Sequence, residues 1–262
     1  MKVYLSLTSI FSNQSILLKT LISIKKQTLL PDKCFIYLSE EPYLLDCGFK
    51  DKNINNNLYK FIKNNDMFEI RWHKNIGPYR KLLPILKEKI LEDCIIITLD
   101  DDTEYHPNLI KNYINDYNSY KCCICYRGFT MKIKKNIRNL NYEERDKLIK
   151  NNLFNFHTGK GGVLYHPKFF EKTKDVIFLR KIYKECCETG DDIWFNFMRI
   201  ANGINCYINT KPYMINDFTK SDTALWYNFN NINKLNTRNI NKTINKLLEL
   251  NIIYENHFKF SS

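Results

Sequence analysis

Cys94-Ile95-Ile96-Ile97-Thr98-Leu99-Asp100-Asp101-Asp102 is the stretch on which the reading of this chain turns. Cys94 to Leu99 is a nearly continuous apolar run of strand length, without the alternation of a half-solvated strand. It reads as a strand covered on both faces of a parallel sheet. The run stops at three adjacent carboxylates. Such charges repel one another and resist burial. A divalent cation relieves both penalties, and Mg²⁺ and Mn²⁺ prefer oxygen ligands. Alone, an acidic strand end is ambiguous. Phosphatases, nucleotidyltransferases and response regulators also place aspartates there, and a solvated acidic turn capping the next helix is the plain alternative.

Working outward toward the N-terminus, Val3 to Thr8 alternates and reads as a first strand. Residues 15–27 carry Ile16, Leu17, Thr20, Leu21 and Ile24 at helical spacing, and Pro31-Asp32 breaks the pattern. Cys34 to Leu38 is a second buried strand. A short helix over 58–63 and an alternating third strand, Phe68 to Trp72, follow. Gly77-Pro78 opens a helical stretch reaching about residue 92, with Pro84 restricting its early turns. Beyond the acidic cluster, Pro107 starts a helix over 108–117. This β-α-β-α-β-α-β-α order predicts an α/β fold with a doubly wound, mostly parallel sheet flanked by helices. Ligands of such sheets bind beyond the carboxyl ends of the strands, where the aspartates lie.

The second half is less regular. Residues 120–129 read as a strand and 131–152 as a basic loop or exposed helix. Residues 159–167 hold three glycines and then an apolar stretch; 168–183 are mixed, 191–200 helical, 204–208 a strand. Ile244, Leu247, Leu248 and Leu250 mark a terminal amphipathic helix over 243–253. No internal repeat or Gly/Ser linker interrupts the chain, which is read as one domain over 1–262. Residues 1–118 form its first half, and 119–262 its second half with the terminal helix.

Bulk properties fit. With 262 residues and 44% hydrophobic content, the chain is long and apolar enough for a sizeable core. A formal net charge of +12 attracts anions. The lysines and arginines are dispersed, so good solubility explains as much. There is no signal-peptide pattern and no apolar run long enough to span a membrane. The nine cysteines are therefore expected to be free thiols in a reducing, cytoplasmic setting. Cys122 and Cys125 form a C-x-x-C, but no second pair completes a zinc site.

An apolar strand ending in D-x-D after an N-terminal β-α-β half resembles the GT-A fold glycosyltransferases, especially their family-2-like members. Four further segments carry the resemblance: Ser6-Leu7-Thr8-Ser9, Asn75-Ile76-Gly77-Pro78-Tyr79-Arg80-Lys81, Gly161-Gly162-Val163-Leu164-Tyr165 and Asp191-Asp192-Ile193-Trp194. Their order and spacing match over residues 1–210. The resemblance implies a GT-A type, Rossmann-like sheet and an inverting, metal-dependent transfer from a UDP- or GDP-linked sugar to a glycan, lipid-linked or protein hydroxyl. Asp100 and Asp101 would face the donor, and Asp102, with Asp100, would hold Mn²⁺ or Mg²⁺. Thr8, Ser9 and Glu40 would line the nucleotide pocket, and Lys81 would approach the diphosphate. Gly161 and Gly162 would shape the acceptor side, where backbone approaches ligand closely. Trp194 would be a sugar platform there or a core residue. Asp192, or else Asp191, would be the base, a role contributing about 10²- to 10⁴-fold. Helix capping competes for both residues. A further metal ligand is open among His257, His157, His166 and Asp217.

Two rivals stand beside this reading. One is nucleotidyl transfer from a nucleoside triphosphate. The other is a non-catalytic basic module binding glycan or nucleic acid. Against the latter, no recognition-helix, zinc-finger or RNA-binding aromatic pattern occurs, so no nucleic-acid partner is expected. The excess of charge at Lys132, Lys134, Lys135 and Arg138 suggests a surface for an anionic acceptor or peripheral membrane contact.

Overall fold

The computed structural model describes residues 1–134, 137–222, 224–230 and 234–258, with the chain path alone at 256 and 257. Lys135, and the side chain of His257, therefore lie outside the described residues. The first half alternates: β1 (Lys2–Thr8), α1 (Gln14–Lys25), β2 (Lys33–Leu38), α2 (Asn56–Lys63), β3 (Phe68–Trp72), α3 (Leu83–Lys89), β4 (Cys94–Thr98), then β5 (Thr103–Tyr105) and α4 (Leu109–Tyr120). The second half has short pieces: β6 (Cys123–Cys125), β7 (Gly128–Met131), β8 (Arg145–Asp146), β9 (Asn151–Asn152), β10 (Asn155–His157) and β11 (Val163–Tyr165). After these come α5 (Arg180–Cys187), α6 (Asp191–Ala201), β12 (Cys206–Ile208), β13 (Met214–Asp217) and α7 (Leu235–Glu249).

Eight strands form the main sheet in the order β3-β2-β1-β4-β11-β6-β12-β9. β1, β2, β3 and β4 pair in parallel; β11 enters antiparallel between β4 and β6, and β12 runs parallel to β6. The α/β fold with a mixed, mostly parallel sheet flanked by helices is thus the one expected. Every residue of β4 is buried, and Leu5 and Leu7 of β1 are fully buried beside it. That two-sided cover explains why β4 reads as an apolar run.

The order places a switch point between β1 and β4. The chain steps outward from β1 through β2 to β3, then returns to the other side of β1 with β4. The connections diverge there and leave a crevice at the carboxyl ends. Because β11 is antiparallel to β4, with Val163 opposite Thr98, the glycine segment before it also arrives at this crevice.

Several expectations are corrected. The helix expected over 77–92 is a 3-10 turn, Gly77–Lys81, followed by α3. The break falls at Leu82 (φ −122, ψ −48), just before Pro84, which has no N–H to continue the ladder. The strand expected over 120–129 is two strands, and α4 runs on to Tyr120 before Lys121 turns it at φ 49. The basic stretch 131–152, expected as a loop or exposed helix, is largely exposed over 143–151, and it is anchored at 137–140. Ile137 and Leu140 are buried, and Asn241 of α7 both donates to and accepts from Leu140 backbone. All cysteines are free, and all but Cys47 are buried. Among the described residues, no helix is long and apolar enough to cross a membrane.

Candidate active site

The three aspartates fan apart. Asp101 turns inward beneath β1, where its carboxylate accepts from the Ser9 hydroxyl and from Asn13 Nδ2 at 3.3 Å. The Thr20 hydroxyl, on α1, donates to the Asp101 carbonyl (2.8 Å) and accepts from the Thr103 N–H (3.2 Å), folding the acidic turn around itself. Tyr105 pins the other side, its hydroxyl accepting from the Asp100 N–H at 2.8 Å. Burial and the neighbouring Asp102 push Asp101 up to about 7. Asp100 and Asp102, together with Asp101, line a cleft of about 700 Å³ beyond the sheet.

Lys81 is the centre of that cleft's charge. The 3-10 turn carries it inward, and its carbonyl accepts the Ser6 hydroxyl at 2.6 Å. Its ammonium lies 3.3 Å from Asp100, 3.0 Å from Asp191 and 3.9 Å from Asp192. Burial opposes the charge on Lys81, yet these carboxylates outweigh it and hold the ammonium well above the lysine range. One cation among three carboxylates leaves excess negative charge in a partly dry site. Burial accordingly raises Asp191 against the pull of Lys81, and raises Asp192 to about 7.

Asp191 and Asp192 open α6, where the helix dipole favours carboxylates. Asp192 Oδ2 accepts the Gly159 N–H at 2.9 Å. Its Oδ1 is buried and accepts no hydrogen bond among the described residues. Gly159 is needed there because a Cβ at that position would lie 2.5 Å from Lys81 Nζ and 3.2 Å from Asp192 Oδ1.

Two further walls close the cleft. On the β1–β2 side, Arg80 pairs with Asp46 at 2.9 Å, both almost fully buried. Asp46 also accepts from Asn75 Nδ2 (3.1 Å) and from the backbone of Phe11 and Gly48. Arg80 Nε and Nη1 have no hydrogen-bond partner among the described residues. On the opposite side, β13 pairs with β5, the strand just beyond the acidic turn. Thr219 donates to Asp102 Oδ2 at 2.7 Å and accepts from Lys160, which also pairs with Asp217 at 2.6 Å. Burial works against the charge on Asp217, but hydrogen bonds from Lys160 and Thr219 hold it down to about 2.

The structure therefore brings Thr8, Ser9, Lys81, Asp100, Asp101, Asp102, Asp191, Asp192 and Asp217 to one cleft. Others sit elsewhere. Glu40 is exposed, pairs with Lys52 at 3.7 Å and borders a separate shallow depression. Gly161 and Gly162 build the turn into β11 behind the cleft wall: the Gly161 carbonyl accepts the Tyr113 hydroxyl (2.9 Å), and Gly162 has φ 80 with Leu99 and Tyr113 against it. Trp194 is wholly buried, its Nε1 donating to the Ile177 carbonyl at 3.0 Å, so it is core. His157 alternates away from Phe156, which lines the cleft; its Nε2 meets the Tyr165 hydroxyl at 3.2 Å, and burial pushes it down to about 3. His166 lies against Asp93 at 3.1 Å, before the start of β4 at the opposite end of the sheet. The sequence reading missed Gly159, Arg80, Asp46, Lys160 and Thr219. For Arg80 alone a signal existed, its place beside Lys81 in a quoted segment.

Among the described residues, no three acidic, histidine or cysteine side chains converge in a cage for a metal ion. Asp102 and Asp100 still fit a hard divalent ion. Burial and the charge of Asp100 raise Asp102 above its ordinary range, so a cation would relieve it. Mg²⁺-type sites commonly use one or two carboxylates completed by substrate phosphates.

No family model matches the sequence, and no curated protein matches it either. Solved structures do. Staphylococcus aureus TarS 1-349 superposes with a TM-score of 0.53 at 13% identity, covering 95% of this chain and 72% of that one. The same TarS fragment in complex with UDP gives 0.52 at 13% identity, covering 85% of this chain and 62% of that one. Its complex with UDP-GlcNAc gives 0.50 at 12% identity, covering 81% and 57%. The chain thus spans less than two thirds of the UDP-bound structure, and at these identities the likeness establishes a shared fold.

Proposed function

We propose that this protein is a glycosyltransferase that moves a sugar from a nucleotide-sugar to a hydroxyl with inversion, aided by Mn²⁺ or Mg²⁺. The observation that carries the reading is Asp192, a residue lining the cleft with Asp100 and Asp102, whose Oδ1 is buried without a hydrogen-bond partner among the described residues. A general base needs such a free acceptor and a pKa near neutrality; Asp192 is raised to about 7. Supporting it are the switch-point crevice and the fold shared with a protein solved with UDP and with UDP-GlcNAc.

In this reading the nucleoside diphosphate lies along Thr8, Ser9 and Arg80, with Asp102 and Asp100 turned toward its phosphates. A divalent ion held there would neutralise the diphosphate as it departs. Asp192 takes the acceptor hydroxyl proton while that oxygen attacks the anomeric carbon. The bond from that carbon to the diphosphate oxygen breaks with its electron pair, and single displacement inverts the centre. Gly159 N–H holds Asp192 Oδ2 and so fixes the carboxylate's orientation. Lys81 holds Asp191, Asp192 and Asp100 together. Its position among carboxylates favours this role over the direct diphosphate contact expected from sequence. The acceptor is a glycan, lipid-linked or protein hydroxyl, and the free thiols suit a reducing, cytoplasmic compartment.

Incubation with nucleotide-sugars and Mn²⁺, followed by detection of released nucleoside diphosphate, tests the proposal. Pyrophosphate release from nucleoside triphosphates, with no diphosphate release from any sugar donor, would replace it with nucleotidyl transfer.

A further inference from the structure

The cleft has a wall to which the proposed chemistry gives no task. After β13 the chain is tied at two places. Thr219 bonds to Asp102. Farther on, the Thr189 hydroxyl donates to Asn230 Oδ1 at 2.6 Å, and Asn230 Nδ2 returns a bond to the Thr189 carbonyl at 3.2 Å. Thr189 stands just ahead of Asp191 and Asp192. One tie is therefore at the acidic strand end and the other at the proposed base, and the chain between them borders the space that separates the two.

Trp226 and Tyr227 lie on that stretch, and both line the cleft. They are 48% and 52% exposed, with their rings edge-to-face at 4.9 Å between centroids. Trp194, by contrast, is wholly buried. Two adjacent large aromatics left half in water on the wall of a concave site leave apolar surface that a ligand would cover. The rest of the cleft limits what that ligand is. Asp100, Asp102, Asp191 and Asp192 supply an acidic floor of hydrogen-bond acceptors in the same cleft. A purely apolar ligand would strand those carboxylates, and a purely polar one would leave the rings wet. A pyranose matches both, since it has a flat C–H face for an aromatic ring and a rim of hydroxyls for the polar groups.

We propose that Trp226, with Tyr227 beside it, is the platform for a pyranose ring in this site. The inference deepens the nucleotide-sugar reading and rests on it for the position of the reacting atoms. The ring arrives either as the donor's sugar or as the sugar bearing the attacking hydroxyl. Both present the same C–H face, and the experiment separates them.

Wild type, Trp226→Ala and Trp226→Phe are titrated in Mn²⁺ with three kinds of probe. These are UDP, a set of UDP-hexoses including UDP-GlcNAc, and methyl pyranosides of the same sugars added over saturating UDP. UDP is expected to bind all three proteins equally. At least one sugar-bearing probe is expected to weaken by about tenfold in Trp226→Ala and to recover largely in Trp226→Phe. Weakening of a UDP-hexose marks the donor's ring; weakening of a methyl pyranoside marks the acceptor's. The platform is overturned if every sugar-bearing probe binds Trp226→Ala as it binds wild type. It is equally overturned if UDP weakens as much as its sugar conjugates, because the segment would then cover the nucleotide. Failure of wild type to bind UDP, GDP or any of their sugar conjugates would sink the nucleotide-sugar reading instead, and methyl pyranosides titrated without nucleotide would then decide the platform.

Discussion

The cleft holds two groups of adjacent aspartates, and they are built in opposite ways. At the end of β4, Asp101 is turned under β1 onto Ser9 and Asn13, and Asp102 receives Thr219. Each of these two carboxylates is tied to hydroxyl or amide groups from a separate part of the chain. At the start of α6, Asp191 and Asp192 share one lysine, Asp192 alone receives the Gly159 N–H, and its other oxygen has no hydrogen-bond partner among the described residues. In the proposed reading the first group, fixed in direction, holds an ion and its phosphates, and the second, under-satisfied, takes a proton. Adjacent carboxylates are thus no single signal; what donates to them separates ligand from base.

The largest expected effect breaks the second group. Asp192→Asn should lower turnover by roughly two to four orders of magnitude. Asn keeps the size and can still accept the Gly159 N–H, so that structural contact would survive the change. Steady-state rates on the productive donor decide, and a wild-type rate would move the base to Asp191 or elsewhere.

Gly159→Ala sharpens the comparison at its hinge. The new methyl would meet Lys81 Nζ, the far end of a flexible side chain. The ammonium should move and the fold persist, with a melting temperature within a few degrees of wild type. Turnover should nevertheless fall about tenfold, because Asp192 loses the alignment of its N–H partner. Unchanged turnover would show that this arrangement is not needed.

A pH effect follows from Asp101 and Asp192, both raised to about 7. A carboxyl raised on folding binds its proton more tightly in the native state. Metal-free stability should therefore fall as pH rises from about 4, the unfolded value, toward 7. Turnover should rise through the same upper limb as Asp192 ionises. Asp101→Asn should flatten part of the stability profile measured by thermal unfolding, and an identical profile would contradict the assignment.

The smallest effect is expected at Glu40. Glu40→Gln should leave UDP affinity within about twofold of wild type by calorimetry, since Glu40 borders another depression. A larger loss would return it to the nucleotide pocket.

That last residue shows where sequence reasoning stops. β2 and β4 were legible because strands buried on both faces leave apolar runs, β1 and β3 because their residues alternate, and the switch point follows from the strand–helix order. Glu40 follows β2 directly, but the chain then folds back, Tyr43 bridging to Asp46, and delivers Asp46 to the cleft. The acidic groups were legible as clusters, while their differing partners come from distant segments. Gly159 went unseen for the same reason: only Lys81 and Asp192, remote in sequence, make its hydrogen side chain necessary. Gly161 and Gly162 looked equally suitable and serve the turn. β6, β10 and β11 are three residues each, too short to show a period. Trp194 lies on a helix whose residues from Ile193 to Ala201 are all buried, a pattern that signals core before ligand.

The division of labour between the two acidic groups is tested most directly by calorimetric titration of UDP into wild type, Asp102→Asn and Asp192→Asn, each with Mn²⁺ and with chelator. The account predicts Mn²⁺-dependent binding in wild type, the same affinity in Asp192→Asn, and a loss of about tenfold or more in Asp102→Asn. Equal affinity in all three proteins, or binding indifferent to Mn²⁺, would contradict it.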